Sequence, residues 1–129
     1  TIKALDNYFN LTIAKKPKWF NLDFEDFISR IELNENDLVY LDPPYLITFS
    51  EYNKYWIEET EKRLLSMLNN LNERNIRFAI SNVTHYKGKV NHLFLDWLQN
   101  YHSYPIKSNY INYHDNTNKI FTEVLVTNY

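Results

Sequence analysis

The sequence has 129 residues and a formal net charge of −2, and 44% of its residues are hydrophobic. This length suits one compact domain, and the hydrophobic content excludes a chain that is disordered throughout. Cysteine is absent, which excludes a disulfide scaffold, a thiolate zinc site and cysteine catalysis.

The sequence also lacks the patterns of membrane and secreted proteins. Its apolar runs are too short to span a membrane and no secretion signal opens the chain, so a cytoplasmic protein is expected. The first residue is Thr1 rather than methionine, which suggests a piece of a longer protein. The one glycine is Gly88. Because loops that bind nucleotide phosphates generally need several glycines, no such loop is expected in this sequence.

The N-terminal stretch is expected to contain a short strand and a short helix. The strand covers Trp19–Leu22. The helix runs to about Ile31, and its cap is Asp23 or Asp26, because an aspartate accepts hydrogen bonds from the free amides of the first turn. Before these elements, four apolar residues have a loosely helical spacing: Ile2, Leu5, Phe9 and Ile13.

The middle of the sequence predicts a strand followed by a long helix. The turn residues Asn34–Asp37 precede Leu38–Leu41, a short apolar run that is typical of a buried parallel strand. A helix is expected from Ile57 to Arg74, with Asn75 as its left-handed stop. The apolar face of this helix is formed by Leu64, Leu65, Leu68 and Leu71.

The C-terminal third adds a strand, a helix and a strand pair. Arg77–Ser81 is predicted as a second buried strand, and the apolar stripe from Val90 to Tyr101 has helical spacing. Two more strands, Tyr104–Tyr113 and Ile120–Thr127, are joined by a short polar turn, which suits an antiparallel pair. This order predicts an α/β fold with a largely parallel sheet that ends in an antiparallel strand pair.

The stretch Asp42-Pro43-Pro44-Tyr45 directly follows the first buried strand. In an open α/β sheet, ligands bind beyond the carboxyl ends of the strands. The two prolines remove backbone donors and stiffen the turn, which leaves carbonyl acceptors facing outward. A carboxylate, a free carbonyl and an aromatic plane are thereby held together, a set that suits a flat group bearing an NH₂. The competing interpretation is a turn that only ends the strand.

The sequence VYLDPPY resembles the catalytic motif of the amino-methyltransferases that act on DNA, in its adenine-N6 form. From about Trp19 onward the chain is similar to the DNA adenine methylase (Dam-like) family, the D12 class of these enzymes. Further segments resemble family segments in the same order: NLDFEDFI, WIEETEKRLLSML, FAISNV, KGKVNHLFLDW and TEVLVTNY. The resemblance implies a Rossmann-like methyltransferase fold that depends on S-adenosylmethionine.

The resemblance assigns catalysis to Asp42, Pro43, Pro44 and Tyr45. The target adenine is flipped out of double-stranded DNA, and Tyr45 stacks on the extruded ring. Asp42 and the Pro43 carbonyl accept hydrogen bonds from the N6 amino group and aim its lone pair at the methyl group of S-adenosylmethionine. No metal is expected, because the histidines lack the spacing of metal ligands and have no cysteine partners.

The same resemblance implies cofactor contacts outside the motif. Phe24 matches the position where the family places an aromatic ring against the cofactor, and Asp23 and Asp42 are the other expected cofactor contacts. The alternatives are a core aromatic for Phe24 and a helix cap for Asp23.

Six residues are candidates for binding nucleic acid: Tyr45, Tyr52, Ser81, Asn82, Lys87 and Lys89. Tyr52 lies in an aromatic loop after the motif, where packing is the competing interpretation. Ser81 and Asn82 are expected to end their strand and line the base pocket, unless they form a turn or a helix cap. Lys87 and Lys89 flank Gly88 at an expected helix start and suit backbone phosphates, although solvated surface lysines are the alternative.

The family's glycine-rich cofactor loop and target-recognition domain have no counterpart in this sequence. Residues 1–129 are therefore expected to be the C-terminal part of a single methyltransferase catalytic domain, inactive alone. Leu38–Leu41 is then expected to present a bare hydrophobic edge, open to pairing with another chain or to self-association.

The expected function is site-specific adenine-N6 methylation of DNA, in a restriction–modification or orphan role. One alternative is an N6-methyltransferase that acts on RNA or free nucleotides. Another is a non-catalytic remnant that binds a partner through its sheet edge.

Overall fold

A computed structural model describes residues 1–106 and 121–129, without the side chain of Tyr52. Two predicted segments lie wholly or largely outside the described residues: the turn His114–Lys119 and much of the strand Tyr104–Tyr113. The chain divides into two compact units, Thr1–Ile31 and Glu32–Tyr129.

The first unit contains two helices. Helix α1 covers Ile2–Lys15 and ends at Lys16, which adopts the left-handed conformation with φ 47°. Helix α2 covers Phe24–Arg30, close to the predicted bounds. Asp23 caps it by accepting a hydrogen bond from the Glu25 amide at 3.1 Å, which confirms one of the two predicted caps.

The strand predicted at Trp19–Leu22 is wrong, because these residues form no strand. An extended segment needs a partner for its ladder hydrogen bonds, and residues 1–31 contain no other strand. Phe20 instead packs against Phe27 of α2, with ring centroids 5.3 Å apart.

The second unit combines strands and helices. Its helices are α3 at Glu58–Glu73 and α4 at His92–Leu98, and a 3₁₀ turn covers Glu51–Asn53. Its strands are β1 at Leu38–Leu41, β2 at Arg77–Tyr86, β3 at Lys89–Val90, β4 at His102–Ile106 and β5 at Thr122–Thr127. The predicted stop at Asn75 is confirmed by its positive φ of 58°. None of the helices in the described parts of the chain is long and apolar enough to cross a membrane.

The strands form one sheet in the order β1-β2-β5-β4, and β3 pairs with β2 outside this row. Among the described strands, β1 and β2 form the parallel pair, whereas the β2–β3, β2–β5 and β4–β5 pairs are antiparallel. The predicted largely parallel sheet is therefore wrong, and the antiparallel pair at its end is confirmed. The physical reason is that β5 inserts between β2 and β4 in the opposite direction. Because β2 and β4 both oppose β5, strands β1, β2 and β4 still run the same way.

One face of the sheet packs against α3 and α4. Phe78 of β2 stacks on Trp97 of α4 with ring centroids 5.9 Å apart, and Trp97 also stacks on Phe94 at 5.6 Å. The predicted apolar face of α3 is confirmed, because all of its leucines are buried: Leu64, Leu65, Leu68 and Leu71. Each such leucine stabilises the fold by about 1.5–3 kcal/mol relative to an exposed one.

Strand β2 is twice as long as predicted, because Ser81 and Asn82 continue the strand and do not end it. Their backbones pair with Leu125 and Val124 of β5. The chain then turns at Lys87 and Gly88, which both have positive φ, at 48° and 77°. Two such residues in succession suit a tight hairpin turn. The helix start predicted around Lys87 and Lys89 is therefore wrong, since α4 begins only at His92.

Strand β1 lies at one end of the sheet order, as the predicted bare edge requires. Leu38 and Tyr40 are 53% and 63% exposed, and they share one face because they are two residues apart. An uncovered strand edge offers free backbone donors and acceptors to an incoming strand. In the part of the chain that the structure describes, no strand pairs with the outer edge of β1.

A buried carboxyl group links α3 to three other parts of the second unit. Glu61 is 0% exposed. Its Oε1 accepts hydrogen bonds from Asn82 of β2 at 2.9 Å and from Asn91 at 2.8 Å. Its Oε2 accepts one from the indole of Trp56 at 2.9 Å. Burying a carboxyl group is costly unless it is hydrogen-bonded, and three neutral donors meet that need here.

Asn91 extends these contacts to α4. Its Oδ1 accepts a hydrogen bond from the Phe94 amide at 3.0 Å, so Asn91 caps the helix while its amide group binds Glu61. Glu61 therefore fixes β2, α4 and the segment before α3 against one another.

We expect Glu61→Ala to lower the free energy of unfolding by about 3 kcal/mol or more, because each buried donor without an acceptor costs roughly 1–3 kcal/mol. Glu61→Gln keeps an oxygen for the two asparagines but turns an NH₂ toward Trp56. Its loss should be smaller, about 1–2 kcal/mol. Urea denaturation followed by tryptophan fluorescence measures both values.

Glu59→Ala is the matched control, because Glu59 is an exposed glutamate in the same helix. It should change the free energy of unfolding by no more than about 0.5 kcal/mol. Equal destabilisation by Glu61→Ala and Glu59→Ala would contradict a structural role for the buried contacts.

Candidate active site

The parallel pairing of β1 and β2 positions the first two side chains of the site. Leu41, the last residue of β1, lies opposite Ile80 of β2. Asp42 and Ser81 follow these residues, so they lie side by side where β1 ends next to the middle of β2. The Ser81 hydroxyl donates a hydrogen bond to Asp42 Oδ1 at 2.8 Å. Ser81 thus holds one oxygen of the Asp42 carboxylate in place.

Tyr45 and Glu123 add a third and a fourth side chain to the site, and they meet at the Tyr45 hydroxyl. It lies 2.6 Å from Glu123 Oε1 and 3.3 Å from Asp42 Oδ1. Glu123 comes from β5, 78 residues further along the chain than Tyr45. The predicted catalytic residues Asp42 and Tyr45 are therefore adjacent, and Ser81 and Glu123 join them.

Hydrogen bonds also fix the backbone end of Tyr45. Its carbonyl oxygen accepts from the Thr48 hydroxyl at 3.0 Å and from the Asn53 amide group at 2.6 Å. Pro43 and Pro44 restrict the backbone immediately before it, because the proline ring locks φ. The ring of Tyr45 is therefore restrained at both of its ends, by the loop and by Glu123.

In the corner formed by Asp42–Tyr45, two acceptors remain available to a ligand. Asp42 is exposed. Within residues 1–106 and 121–129, no donor binds Asp42 Oδ2 or the Pro43 carbonyl oxygen. A carboxylate oxygen and a carbonyl oxygen next to an aromatic ring can accept both hydrogens of an amino group on a flat ring.

The surroundings of Tyr45 keep its phenol protonated. Burial raises the pKa of Tyr45 well above its usual value, and the hydrogen bond to Glu123 raises that pKa further. A contact with Ser81 lowers it, whereas the negative charges of Glu123 and Asp42 raise it. Tyr45 is therefore a neutral hydrogen-bond donor at physiological pH.

The structure separates the two polar residues that were both expected at the base pocket. Ser81 and Asn82 are consecutive in β2, so their side chains point to opposite faces of the sheet. Ser81 faces Asp42. Asn82 is fully buried and donates to Glu61 on the helix side, so it is not brought together with Asp42.

The hairpin lysines contact aromatic rings. Lys89 Nζ lies 4.0 Å from the centroid of Phe49, which is 84% exposed in the loop after the motif. Lys87 Nζ lies 5.3 Å from the centroid of Tyr86. Both lysines are exposed. The hairpin and the loop therefore form one surface with cations and exposed aromatic faces, while the side chain of Tyr52 in that loop lies outside what the structure describes.

The expected cofactor residues Asp23 and Phe24 lie in the first unit. Asp23 Oδ1 accepts from the Glu25 amide, and Phe24, at the first position of α2, is half-buried. Among the described residues, no group of three or more histidine, aspartate or glutamate side chains is arranged to hold a metal ion.

Glu123 is the site residue that the sequence did not predict. The signal for it is weak but physical. TEVLVT is an otherwise uncharged strand with buried residues on both faces, and an acid in such a strand needs a hydrogen-bond donor nearby. The sequence does not show that this donor is Tyr45, because the contact spans most of the second unit.

Comparisons with known proteins match most of the chain to one family. The family model for D12 class N6 adenine-specific DNA methyltransferase matches residues 3–118. Modification methylase StsI of Streptococcus sanguinis is 41% identical over 136 residues, which cover 96% of this chain and 18% of the relative. Type II methyltransferase M.FokI of Planomicrobium okeanokoites is 42% identical over 114 residues, covering 83% of this chain and 18% of the relative.

A third relative matches a smaller part. Modification methylase LlaI of Lactococcus lactis subsp. lactis is 40% identical over 82 residues, which cover 57% of this chain and 13% of the relative. The chain thus spans less than a fifth of the length of these relatives. The family match includes the Asp42–Tyr45 motif and most of both units. The chain belongs to the D12 class of N6 adenine-specific DNA methyltransferases.

Proposed function

We propose that this chain carries the methyl-transfer site of a DNA modification methylase. The substrate is an adenine flipped out of double-stranded DNA, and the product is N6-methyladenine within a specific sequence. One observation carries the proposal: the Asp42 carboxylate is exposed, anchored by Ser81 at 2.8 Å, and adjacent to Tyr45. The modification-methylase names of the relatives support a role beside a restriction enzyme.

The chain's own residues supply the positioning of the amino group. Asp42 Oδ2 and the Pro43 carbonyl accept its two hydrogens, which localises the nitrogen lone pair and directs it away from the ring plane. Pro44 keeps the corner rigid. Tyr45 stacks on the adenine, and base–aromatic stacking recovers roughly 1–3 kcal/mol of the stacking lost on flipping.

The residues at the corner fit S-adenosylmethionine as the methyl donor. When bound, it supplies a methyl group on a positively charged sulfonium. The exposed Asp42 carboxylate beside Tyr45 carries a negative charge that suits such a cation. Asp23 and Phe24 are proposed as further cofactor contacts on the basis of the family resemblance.

Nucleic acid is proposed to lie on the surface formed by the hairpin and the loop after the motif. Lys87 and Lys89 contact backbone phosphates there, and exposed aromatic rings such as Phe49 provide stacking faces. Tyr52 and Ser81 are proposed contacts near the flipped base. Asn82 is proposed to act indirectly, because its hydrogen bond to Glu61 supports the strand that carries Ser81.

Residues 1–129 are proposed to be the C-terminal part of a single Rossmann-like catalytic domain, with the glycine-rich cofactor loop and the target-recognition domain elsewhere in the polypeptide. The strand order β1-β2-β5-β4 with a reversed β5 supports this, as does the uncovered edge of β1. A strand from the same polypeptide would cover that edge. A cytoplasmic location follows from the proposed function, because the enzyme must reach the DNA that it modifies.

Asp42→Ala tests the proposed chemistry. In the complete gene product, this change should lower the methylation rate by about a hundredfold or more, because it removes a preorganised acceptor. The fold should survive, since Asp42 is exposed. Mass spectrometry of N6-methyladenine in duplex DNA measures the rate, and parallel assays on RNA of the same sequence test the alternative substrate.

Asp96→Ala is the matched control, because Asp96 is an exposed aspartate on α4. It should methylate at the unchanged rate. Full activity of Asp42→Ala would remove this residue from the reaction, and a preference for RNA would replace the proposed substrate.

Lys87→Ala and Lys89→Ala test the proposed nucleic-acid surface. Each phosphate contact contributes about 0.9 to the slope of log binding constant against log salt concentration, so each variant should reduce that slope by about this amount. Fluorescence anisotropy with labelled duplex DNA measures the slope. Lys62→Ala is the control, because Lys62 pairs with Glu58 on α3 at 3.1 Å. Unchanged slopes for both hairpin variants would contradict phosphate binding by these lysines.

Hydrogen exchange tests the proposed cover over β1. The outward-facing amides of Leu38–Leu41 should exchange quickly in the isolated chain and slowly in the complete gene product, because only the latter supplies the additional strand. Amides of β2 serve as the internal control. Protection that rises with the concentration of the isolated chain would instead indicate self-association, and fast exchange in both proteins would leave the edge uncovered.

A further inference from the structure

The Tyr45 hydroxyl faces two acceptors but carries one proton. Glu123 Oε1 lies 2.6 Å from it and Asp42 Oδ1 lies 3.3 Å from it. Hydrogen bonds between a hydroxyl and a carboxylate have typical lengths of about 2.5–2.7 Å. The Tyr45 hydroxyl therefore donates its hydrogen bond to Glu123, and its contact with Asp42 is longer and weaker.

This competition matters because Asp42 already accepts a hydrogen bond from Ser81 on the same oxygen, at 2.8 Å. If the Tyr45 hydroxyl turned to Asp42, a second donor would reduce the negative charge that this carboxylate presents to other donors. The ring would also lose the contact that restrains its far end. Glu123 prevents both changes.

We propose that Glu123 is a positioning residue that draws the Tyr45 hydroxyl away from Asp42, so that the Asp42 carboxylate remains a strong acceptor for the adenine amino group. This inference rests on the proposed function. It assigns a role to a residue outside the Asp-Pro-Pro-Tyr motif, on a strand that approaches the site from the opposite direction.

The sheet register fixes Glu123 where this role requires it. Glu123 pairs with Val83 of β2, and Leu125 pairs with Ser81, so Glu123 and Ser81 lie on the same face. The register then shifts between Val83 and His85, which marks a bulge directly beside Glu123. Bulges often redirect side chains next to active sites.

A suppressor experiment in the complete gene product tests the proposal. With Tyr45 present, Glu123→Ala should lower kcat by about ten- to hundredfold, the range expected when a reacting group is misplaced. With Tyr45→Phe as the background, the same Glu123→Ala change should alter kcat less than about threefold, because no hydroxyl competes for Asp42. Glu123→Gln, which keeps an oxygen for Tyr45, should retain more activity than Glu123→Ala.

Nuclear magnetic resonance of the 129-residue chain tests the contact without any methylation. Tyrosine labelled with ¹³C at Cζ gives one resonance for each ring, and Tyr45→Phe identifies that of Tyr45. Because Glu123 accepts a short hydrogen bond from the Tyr45 hydroxyl, Glu123→Gln should shift this resonance at neutral pH. Glu59→Gln, an exposed glutamate variant on α3, should leave it unchanged.

The outcomes separate the inference from the proposed function. If the wild-type enzyme methylates adenine and Glu123→Ala does so at the same rate, the positioning role is overturned alone. The same holds if Glu123→Ala slows the reaction equally in the Tyr45→Phe background, because Glu123 then acts by another route. An unchanged Tyr45 Cζ resonance in Glu123→Gln overturns the contact itself. A wild-type protein that methylates no adenine overturns the proposed function, and the inference falls with it.

Discussion

The parallel register of β1 and β2 is the constraint on which the site depends. Leu41 lies opposite Ile80, so the residues that follow them, Asp42 and Ser81, meet beside the carboxyl end of β1. A register shift of one residue would turn Ser81 to the helix side and leave the Asp42 carboxylate without its anchor. The shift would also expose Phe78 and Ile80, which are fully buried, so the hydrophobic core enforces the register that the site needs.

Strand β2 serves stability and chemistry on its two faces. Ser81 binds Asp42 on one face, and Asn82 binds the buried Glu61 on the other. Glu61 also holds Trp56, which lies in the segment between the motif and α3. The segment from Asp42 to Trp56 is therefore connected to the core at both ends. Asp42 binds Ser81 of β2, and Trp56 binds the buried Glu61. Consecutive residues divide these tasks because side chains alternate along a strand.

The sequence correctly predicted the helix and strand features that depend on local residue patterns. The leucine stripe of α3, the stop at Asn75 and the strand before Asp42 follow from spacing within a few residues, and each is confirmed. The motif was recognisable because an acid, two prolines and a tyrosine directly follow a short hydrophobic strand. What failed depends on pairing between distant segments. The length of β2 and the direction of its neighbour are set by β5, more than 35 residues further on, and no local pattern in Ser81–Tyr86 reports that partner.

Glu123 was not predicted because its contact with Tyr45 also joins distant segments of the chain. The contact restrains the ring of Tyr45 at its hydroxyl end. A phenylalanine at position 45 would offer the same stacking face, but its ring would be restrained only from the backbone side. The tyrosine hydroxyl adds a second restraint, and it also introduces a donor beside the Asp42 carboxylate. Glu123 accepts the hydrogen bond of this hydroxyl at 2.6 Å, so under the proposed function the ring is already oriented before a base binds. Orienting a group before binding lowers the conformational entropy that is lost on binding. The contact that orients this ring joins two residues that lie 78 positions apart in the chain.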